Sequence, residues 1–333
     1  MKPHPIVATW CSRLLFFHYR DAFFAQGWIY AMRHLTPLKF VDEVAKAGSI
    51  RRAAETLAIT PSALNRRILA IEDELGVQIF ERIPSGVRLN TAGEYLVHHI
   101  RNQVSDLDRV LSHIADLSGV RLGHVAIACS QALLPHFITR QINQYRADHP
   151  AVTFNVLLRD REAVEEVLLD YSADLALVFE PARLTEFQTI LTVRQPVYAV
   201  MARDHILASS KTVRLSDCLA FPTALPLNRY GIRFLLDAAL HRTGATVEPI
   251  IQSDSFEFLV NYAATKDAIT FQIPIGLPLD LTESKIVGRP VDTRDIPPGI
   301  LCLAQLKSRT LPVAAARFAD QLVSTFVNKY DCD

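Results

Sequence analysis

Across residues 49 to 117 apolar side chains recur at intervals of three and four, the period of one face of a helix. Leu64, Ile68, Ile71 and Leu75 stand four, three and four residues apart and predict a helix with one buried stripe. Ahead of it, Ser49 to Ala58 carries Ala53, Ala54 and Leu57, small enough on one side to let a second helix cross closely. Ile59-Thr60 leaves room only for a tight turn. Thr60 suits the cap of the second helix and Pro61 its first turn, where a missing N–H costs nothing. Gly76 supplies the stop. Taken by itself, such a pair is equally an ordinary helical hairpin with solvated arginines.

The next forty residues narrow that choice. Val77 to Leu89 reads as a short hairpin with a Pro84-Ser85-Gly86 tip, and Thr91-Ala-Gly-Glu94 matches a capping box that opens a third helix. In that helix Val97, Ile100, Val104, Leu107, Leu111 and Ile114 form a heptad seam, suited either to dimerisation or to packing on its own domain. Gly119 to Gly123 reads as a hinge, and beyond it the period changes. Strands at 124–129, 152–158, 174–178, 197–201, 247–251, 268–273 and 300–305 alternate with helices at 134–147, 162–171, 215–219, 232–243, 255–265 and 312–327. That alternation predicts parallel sheet with helices on its faces and ligands at the carboxyl ends of strands.

The helix-turn-helix order assigns chemistry to its outward side chains. Ser62 and Arg66, flanked by Ala63 and Asn65, lie opposite the apolar stripe, where short or hydrogen-bonding side chains approach base edges in a major groove. Arg51 and Arg52 are left for phosphates, and Arg82 and Arg88 flank the tip of a wing.

With these elements in this order, residues 35 to 94 resemble the winged helix-turn-helix of LysR-type transcriptional regulators. The stretches that carry the resemblance include Ala47-Gly48-Ser49, Arg52-Ala-Ala-Glu55, Thr60-Pro-Ser-Ala-Leu64, Arg66, Ile71-Glu72, Glu74-Leu-Gly76, Phe80-Glu-Arg82 and Thr91-Ala-Gly-Glu94. The resemblance implies DNA contacts at Thr60, Pro61, Ser62, Ala63, Asn65 and Arg66, with Arg52 and the wing on the backbone. Asn65 departs from the serine or threonine usual there. It further implies a multidomain chain: a head at 33–91, a linker helix at 92–118, and an α/β effector domain at 123–333 built like a two-lobed periplasmic binding protein. Lobe I would take about 123–195 and 299–333, and lobe II about 196–298. In that family a small effector sits between the lobes. Ser130 matches the contact after the first strand; where serine or threonine often ends the second, this chain has Arg159-Asp160-Arg161, so Arg161 suggests an anion held bidentately. Pro226, Asn228 and Gln272 are candidates from the opposite lobe, with surface or capping roles as open alternatives.

Composition agrees with a regulator of several parts. The chain has 333 residues, half of them hydrophobic, and no net charge, so DNA binding rests on locally placed arginines. The five cysteines form no C-x-x-C pair, as expected in a reducing cytoplasm. Cys129, at a strand end beside the cleft, reads as a redox group or, more simply, a small buried residue. Residues 1 to 31 hold both tryptophans around Arg13, Arg20 and Asp21, charges that interrupt any membrane span. Met32 stands where LysR-type chains usually begin, so this extension is either a misassigned start or an arm for a partner.

No phosphate-cradling loop, zinc-protease helix or nucleophile elbow occurs. His98-His99 is a solvated pair or a metal site on the outer side of the linker helix. The reading is therefore of no enzyme, cofactor or metal. The expected partners are double-stranded DNA, a small effector and further copies of the chain as homodimer or homotetramer, with no membrane. A constitutive DNA binder and a solute-binding protein remain as alternatives.

Overall fold

The computed structural model describes residues 36–117, 123–183, 185–265, 267–278, 285–307 and 309–329. The extension at 1–31, Met32 and most of the predicted hinge at 119–123 lie outside the described residues.

Three helices and a hairpin open the fold: α1 (Thr36–Ala47), α2 (Ile50–Thr56), α3 (Pro61–Leu75), β1 (Phe80–Ile83) and β2 (Gly86–Leu89). Apolar residues at positions 40, 41 and 44 turn one face of α1 inward, and Ala53 and Ala54 are fully buried where α2 meets it. Leu64 and Ile68 of α3 complete this core with Ile79. Leu75 does not join it: the last turn of α3 projects past the core and leaves that side chain 48 % exposed. Gly76 adopts the left-handed conformation (φ 69°) that ends α3. A signal absent from the periodicity ties α3 to the hairpin, since Glu72 Oε1 accepts from the N–H groups of Ile79 and Phe80 at 2.8 and 3.2 Å.

The 27-residue helix α4 (Thr91–Leu117) is capped one residue earlier than the Thr91 box implies. Asn90 Oδ1 accepts from Gly93 N–H at 2.9 Å, and Asn is at least as good a cap as Thr. The seam divides along its length. Val97 and Ile100 are buried in the head core, whereas Ile114 is 53 % exposed. The first half thus packs on its own domain. The Leu111 side chain lies outside those described.

A polar stripe on the same helix, Arg101, Asn102 and Ser105 at spacings of one and three, meets the sheet domain. Arg101 bonds Asp42 of α1 at 2.8 Å and the Leu169 carbonyl at 3.5 Å. Asn102 accepts from the Tyr171 hydroxyl, and Ser105 Oγ accepts from Arg309 at 3.3 Å. Arg309 also donates to Asp174 at 2.6 Å and to the Ala173 carbonyl at 2.8 Å, and lies over the Tyr171 ring.

The sheet domain continues as β3 (Gly123–Cys129), α5 (Thr139–Asp148), β4 (Val152–Leu158), α6 (Val164–Leu169), β5 (Leu175–Phe179) and β6 (Phe187–Gln195). Next come β7 (Tyr198–Ala202), α7 (Leu215–Leu219), β8 (Ala224–Pro226), α8 (Gly231–Thr243), β9 (Ile251–Ser253), α9 (Phe256–Ala263), β10 (Thr270–Gln272) and β11 (Ile286–Pro290). Strand β12 (Gly299–Leu306) and α10 (Val313–Lys329) close the described chain. The helix expected from residue 134 begins as a π-turn over Leu134–Ile138 before α5.

Sheet order in the first lobe is β4-β3-β5-β12-β6, and in the second β10-β7-β11 with a β8-β9 pair. The sheets are not all parallel as expected: β3, β4 and β5 are parallel, but β12 runs antiparallel to both β5 and β6, and β7 is antiparallel to both neighbours. The segment expected as a strand over 247–251 pairs only at 251–253. Gln195 pairs with Gly299, so the two crossings between lobes lie side by side. One cluster of buried residues runs through both lobes.

Candidate nucleic-acid interface and interlobe site

The outer face of α3 is open. Ser62 and Arg66 are exposed, Ala63 and Asn65 half-buried, and Thr60 and Pro61 exposed at the helix start. Thr60 Oγ1 accepts from Ala63 N–H at 3.3 Å and shares a hydrogen bond with Ser62 Oγ at 3.2 Å, which satisfies a helix-end donor while keeping both hydroxyls at the surface. The neighbouring arginine is disposed differently: Arg67 lies 4.5 Å from the centre of the Phe40 ring, stacked on the head rather than pointing away from it. Arg51 sits beside Glu55 at 3.4 Å, both well solvated.

Beside α3 the wing is held by two glycines. Val87 N–H donates to the Gly48 carbonyl at 3.0 Å, and a Cβ on Gly86 (φ 144°) would lie 2.2 Å from that same oxygen. Only glycine allows this approach. Where the α1–α2 turn meets the wing lies an open groove of about 540 Å3 lined by Arg52, Ser85 and Arg88 among others.

The two wing arginines are not equivalent. Glu81 pairs with Arg88 and Arg82 with Val87 across the ribbon, so the arginines occupy opposite faces. Arg88 is not free as expected: it donates to Glu81 Oε2 at 2.7 Å, which raises its pKa further. Arg82 is exposed.

Between the lobes the expected effector residues separate. Ser130 is buried, and its hydroxyl accepts from Phe179 N–H at 3.3 Å. Arg161 donates through Nε to the Glu180 carbonyl at 2.6 Å and lies 4.1 Å over the Phe234 ring, which takes up its side-on edge and leaves only the end-on Nη1–Nη2 edge for the bidentate carboxylate expected. Pro226 is buried in β8 and offers only its carbonyl, which accepts from Arg233 at 3.3 Å. Asn228 is exposed. Gln272 is buried and lines a cavity of about 330 Å3 with Ala132 and His136 from the first lobe and Phe256 from the second. That cavity is visible in sequence only through Gln272, because its two walls, within residues 132–136 and 256–286, are more than a hundred positions apart.

Burial raises the Cys129 thiol to about 12, which removes the thiolate needed for redox sensing near neutral pH. His98 and His99 are exposed, and the His98 ring lies 6.3 Å from that of Tyr171. Among the described residues no helix is long and apolar enough to cross a membrane, and no group of three metal-binding side chains occurs.

Two family models match this chain: the bacterial regulatory helix-turn-helix of the lysR family over residues 35–94, and the LysR substrate-binding domain over residues 118–327. The uncharacterized HTH-type transcriptional regulator YfeR of Shigella flexneri is 26% identical over 288 residues, covering 86% of this chain and 92% of that protein. The corresponding regulator YbhD of Escherichia coli (strain K12) is 27% identical over 210 residues, 63% of this chain and 66% of that protein. Among solved structures, a full-length OxyR variant from Pseudomonas aeruginosa has a TM-score of 0.65 at 19% identity, covering 86% of this chain and 94% of that one. Full-length CbnR bound to its target DNA has a TM-score of 0.55 at 17% identity, covering 87% and 99%. With a helix-turn-helix whose outer face is open and a two-lobed sheet domain behind it, each matched by its family model, the chain belongs to the LysR family of transcriptional regulators.

Proposed function

We propose that α3 enters the major groove of an operator, with Thr60, Pro61, Ser62, Ala63, Asn65 and Arg66 at base edges and Arg51, Arg52 and Arg82 on phosphates. The observation that carries this reading is the exposure of Ser62 and Arg66 on the helix face opposite Leu64 and Ile68. Arg88, held by Glu81, is a reserve contact rather than a primary one.

A small molecule acts between the lobes and biases their arrangement, which it can do only by binding one arrangement more tightly than the other. The first lobe is bonded to α4 through Arg309, Tyr171 and Leu169, so its movement carries the helix that leads into the head. The chain works in the cytoplasm as a homodimer or homotetramer, which fixes the spacing of its heads on half-sites. The exposed Val110 and Ile114 in the second half of α4 support this assembly.

Sequencing the DNA fragments retained by the purified full chain tests the central reading. A recurring two-fold related motif is expected, with binding that falls steeply as salt rises. Retention of fragments without a shared motif would reduce the protein to a non-specific binder.

A further inference from the structure

The cavity of about 330 Å3 lies where the two lobes meet, and its lining changes character with depth. At its floor Phe256, Leu277 and Ile286 are buried, whereas Glu257 and Lys285 stand exposed at its mouth. The lobes approach closely at the floor: a Cβ on Gly276 would lie 2.5 Å from the Ala132 carbonyl oxygen. A molecule in this space therefore touches both lobes at once.

One polar side chain at the floor has capacity to spare. Gln272 is 2 % exposed; its Oε1 accepts from Ile273 N–H at 2.9 Å, and among the described residues its Nε2 amide donates no hydrogen bond. Because Gln272 lines the cavity, this donor is within reach of a ligand that brings an acceptor. Among the described residues no cation lines the floor, because Lys285 is at the mouth and burial lowers the His136 pKa, keeping that ring neutral at pH 7. A carboxylate pushed to the floor would lose its water without gaining a counter-charge. Among the described lining residues the two charges at the mouth, Glu257 and Lys285, are opposite in sign, so neither sign of ligand is favoured by them.

We propose that this cavity binds a small uncharged molecule with an apolar body and one carbonyl-type acceptor, which enters acceptor first and receives the Nε2 hydrogen bond of Gln272. The inference rests on the reading that the interlobe space is the effector site, and it replaces the anion suggested by Arg161 with a neutral ligand. The volume is at the small end of ligand pockets, so the molecule is compact.

A matched pair of probes tests the charge and the site together. Binding of 3-methylbutanamide and of 3-methylbutanoate to the full chain is measured by thermal unfolding and by NMR titration at up to about 10 mM, a range suited to fragments of this size. The amide is expected to bind at least about tenfold more tightly than the carboxylate, as a neutral acceptor in a floor without cations should. Gln272→Met keeps the volume but removes the donor, and Ala264→Leu fills the cavity from its wall; each is expected to weaken the amide by about tenfold or more. Because Gln272→Met also removes the acceptor for Ile273, the Ala264→Leu variant keeps the test informative if the first unfolds. Preference for the carboxylate, undiminished amide binding in Ala264→Leu, or no saturable binding of either probe would each overturn the proposal. Operator retardation by the same samples separates the two readings. If probe binding fails while DNA binding stays salt-sensitive and dependent on Arg66, the ligand assignment alone falls.

Discussion

Arg66 and Arg161 are both arginines that the sequence offers to an anion, yet the molecule treats them differently. Arg66 stands exposed on α3 beside an exposed Ser62, while Arg161 donates to the Glu180 carbonyl and lies over the Phe234 ring. The head keeps its polar groups outward because its core is satisfied by local apolar periodicity, and the opposite face of α3 is surplus to folding. The sheet domain uses its polar groups to hold distant segments together. Ser130 shows the same economy, since its hydroxyl accepts from Phe179 N–H across 49 positions of sequence. Polar residues on a helix face opposite a buried stripe are thus available for partners, whereas polar residues at strand ends are first claimed by the fold.

The contrast is broken most severely at the polar clasp between α4 and the first lobe. Arg309 and Asp174 have side chains only 7 and 8 % exposed, and Arg309→Ala leaves the Ala173 carbonyl without its guanidinium donor and the carboxylate without its counter-charge, with, among the described residues, only the Ala126 N–H still donating to it. A loss of about 3 to 5 kcal/mol in unfolding free energy is expected from denaturant titration, the usual result of removing one member of a buried pair. A change below about 1 kcal/mol would show that water replaces the guanidinium and that the clasp is not a rigid link.

Next in size is the wing. Gly86→Ala places a Cβ 2.2 Å from the Gly48 carbonyl and strains a backbone with φ of 144°, so about 2 to 3 kcal/mol is expected to be lost and the Gly48–Val87 bond to open. DNA affinity should fall with it. Retained affinity in a destabilised head would show that α3 binds without the wing.

On the open face, Arg66→Ala is expected to weaken specific DNA by about 1 to 3 kcal/mol and to relax base preference, with stability unchanged within about 0.5 kcal/mol. In the closed region Ser130→Ala is expected to cost about 1 to 3 kcal/mol of stability by leaving Phe179 N–H unpaired, while DNA affinity stays the same. This pair sharpens the comparison directly, because one change moves binding alone and the other folding alone. An Arg66→Ala protein that melts early, or a Ser130→Ala protein that loses DNA, would erase the distinction.

The same division governs how much of the molecule is legible in its chain. The helices of the head, the Thr60 cap and the Gly76 stop depend on neighbours within a few residues, and the periodicity carries them. The α4 cap lies at Asn90 rather than Thr91 because adjacent residues both make good caps and only the hydrogen bond to Gly93 decides. Strand β6 is missed by the pattern because its partner β12 shifts register between Leu303 and Ala304, which breaks the apolar alternation that would have marked it. Strand β11 carries Gly288 and Pro290, which are poor strand signals and tolerated at a sheet edge. Gln272 is an effector candidate from sequence, but nothing near it in the chain shows that Ala132 closes the same cavity.

The smallest expected effect concerns the wing arginine that the fold has already claimed. Glu81→Gln removes the carboxylate to which Arg88 donates at 2.7 Å, on a ribbon face where both side chains are solvated, so stability should not change measurably. The freed guanidinium becomes available to a phosphate, and the slope of log affinity against log salt should steepen by about one. Arg82, on the opposite face of the ribbon, is unaffected by this change and serves as the control, since Arg82→Ala should make the slope shallower by about one in either background. An unchanged slope in Glu81→Gln would mean that Arg88 faces away from the duplex, and that the wing, like the interlobe cleft, uses this arginine for its own structure.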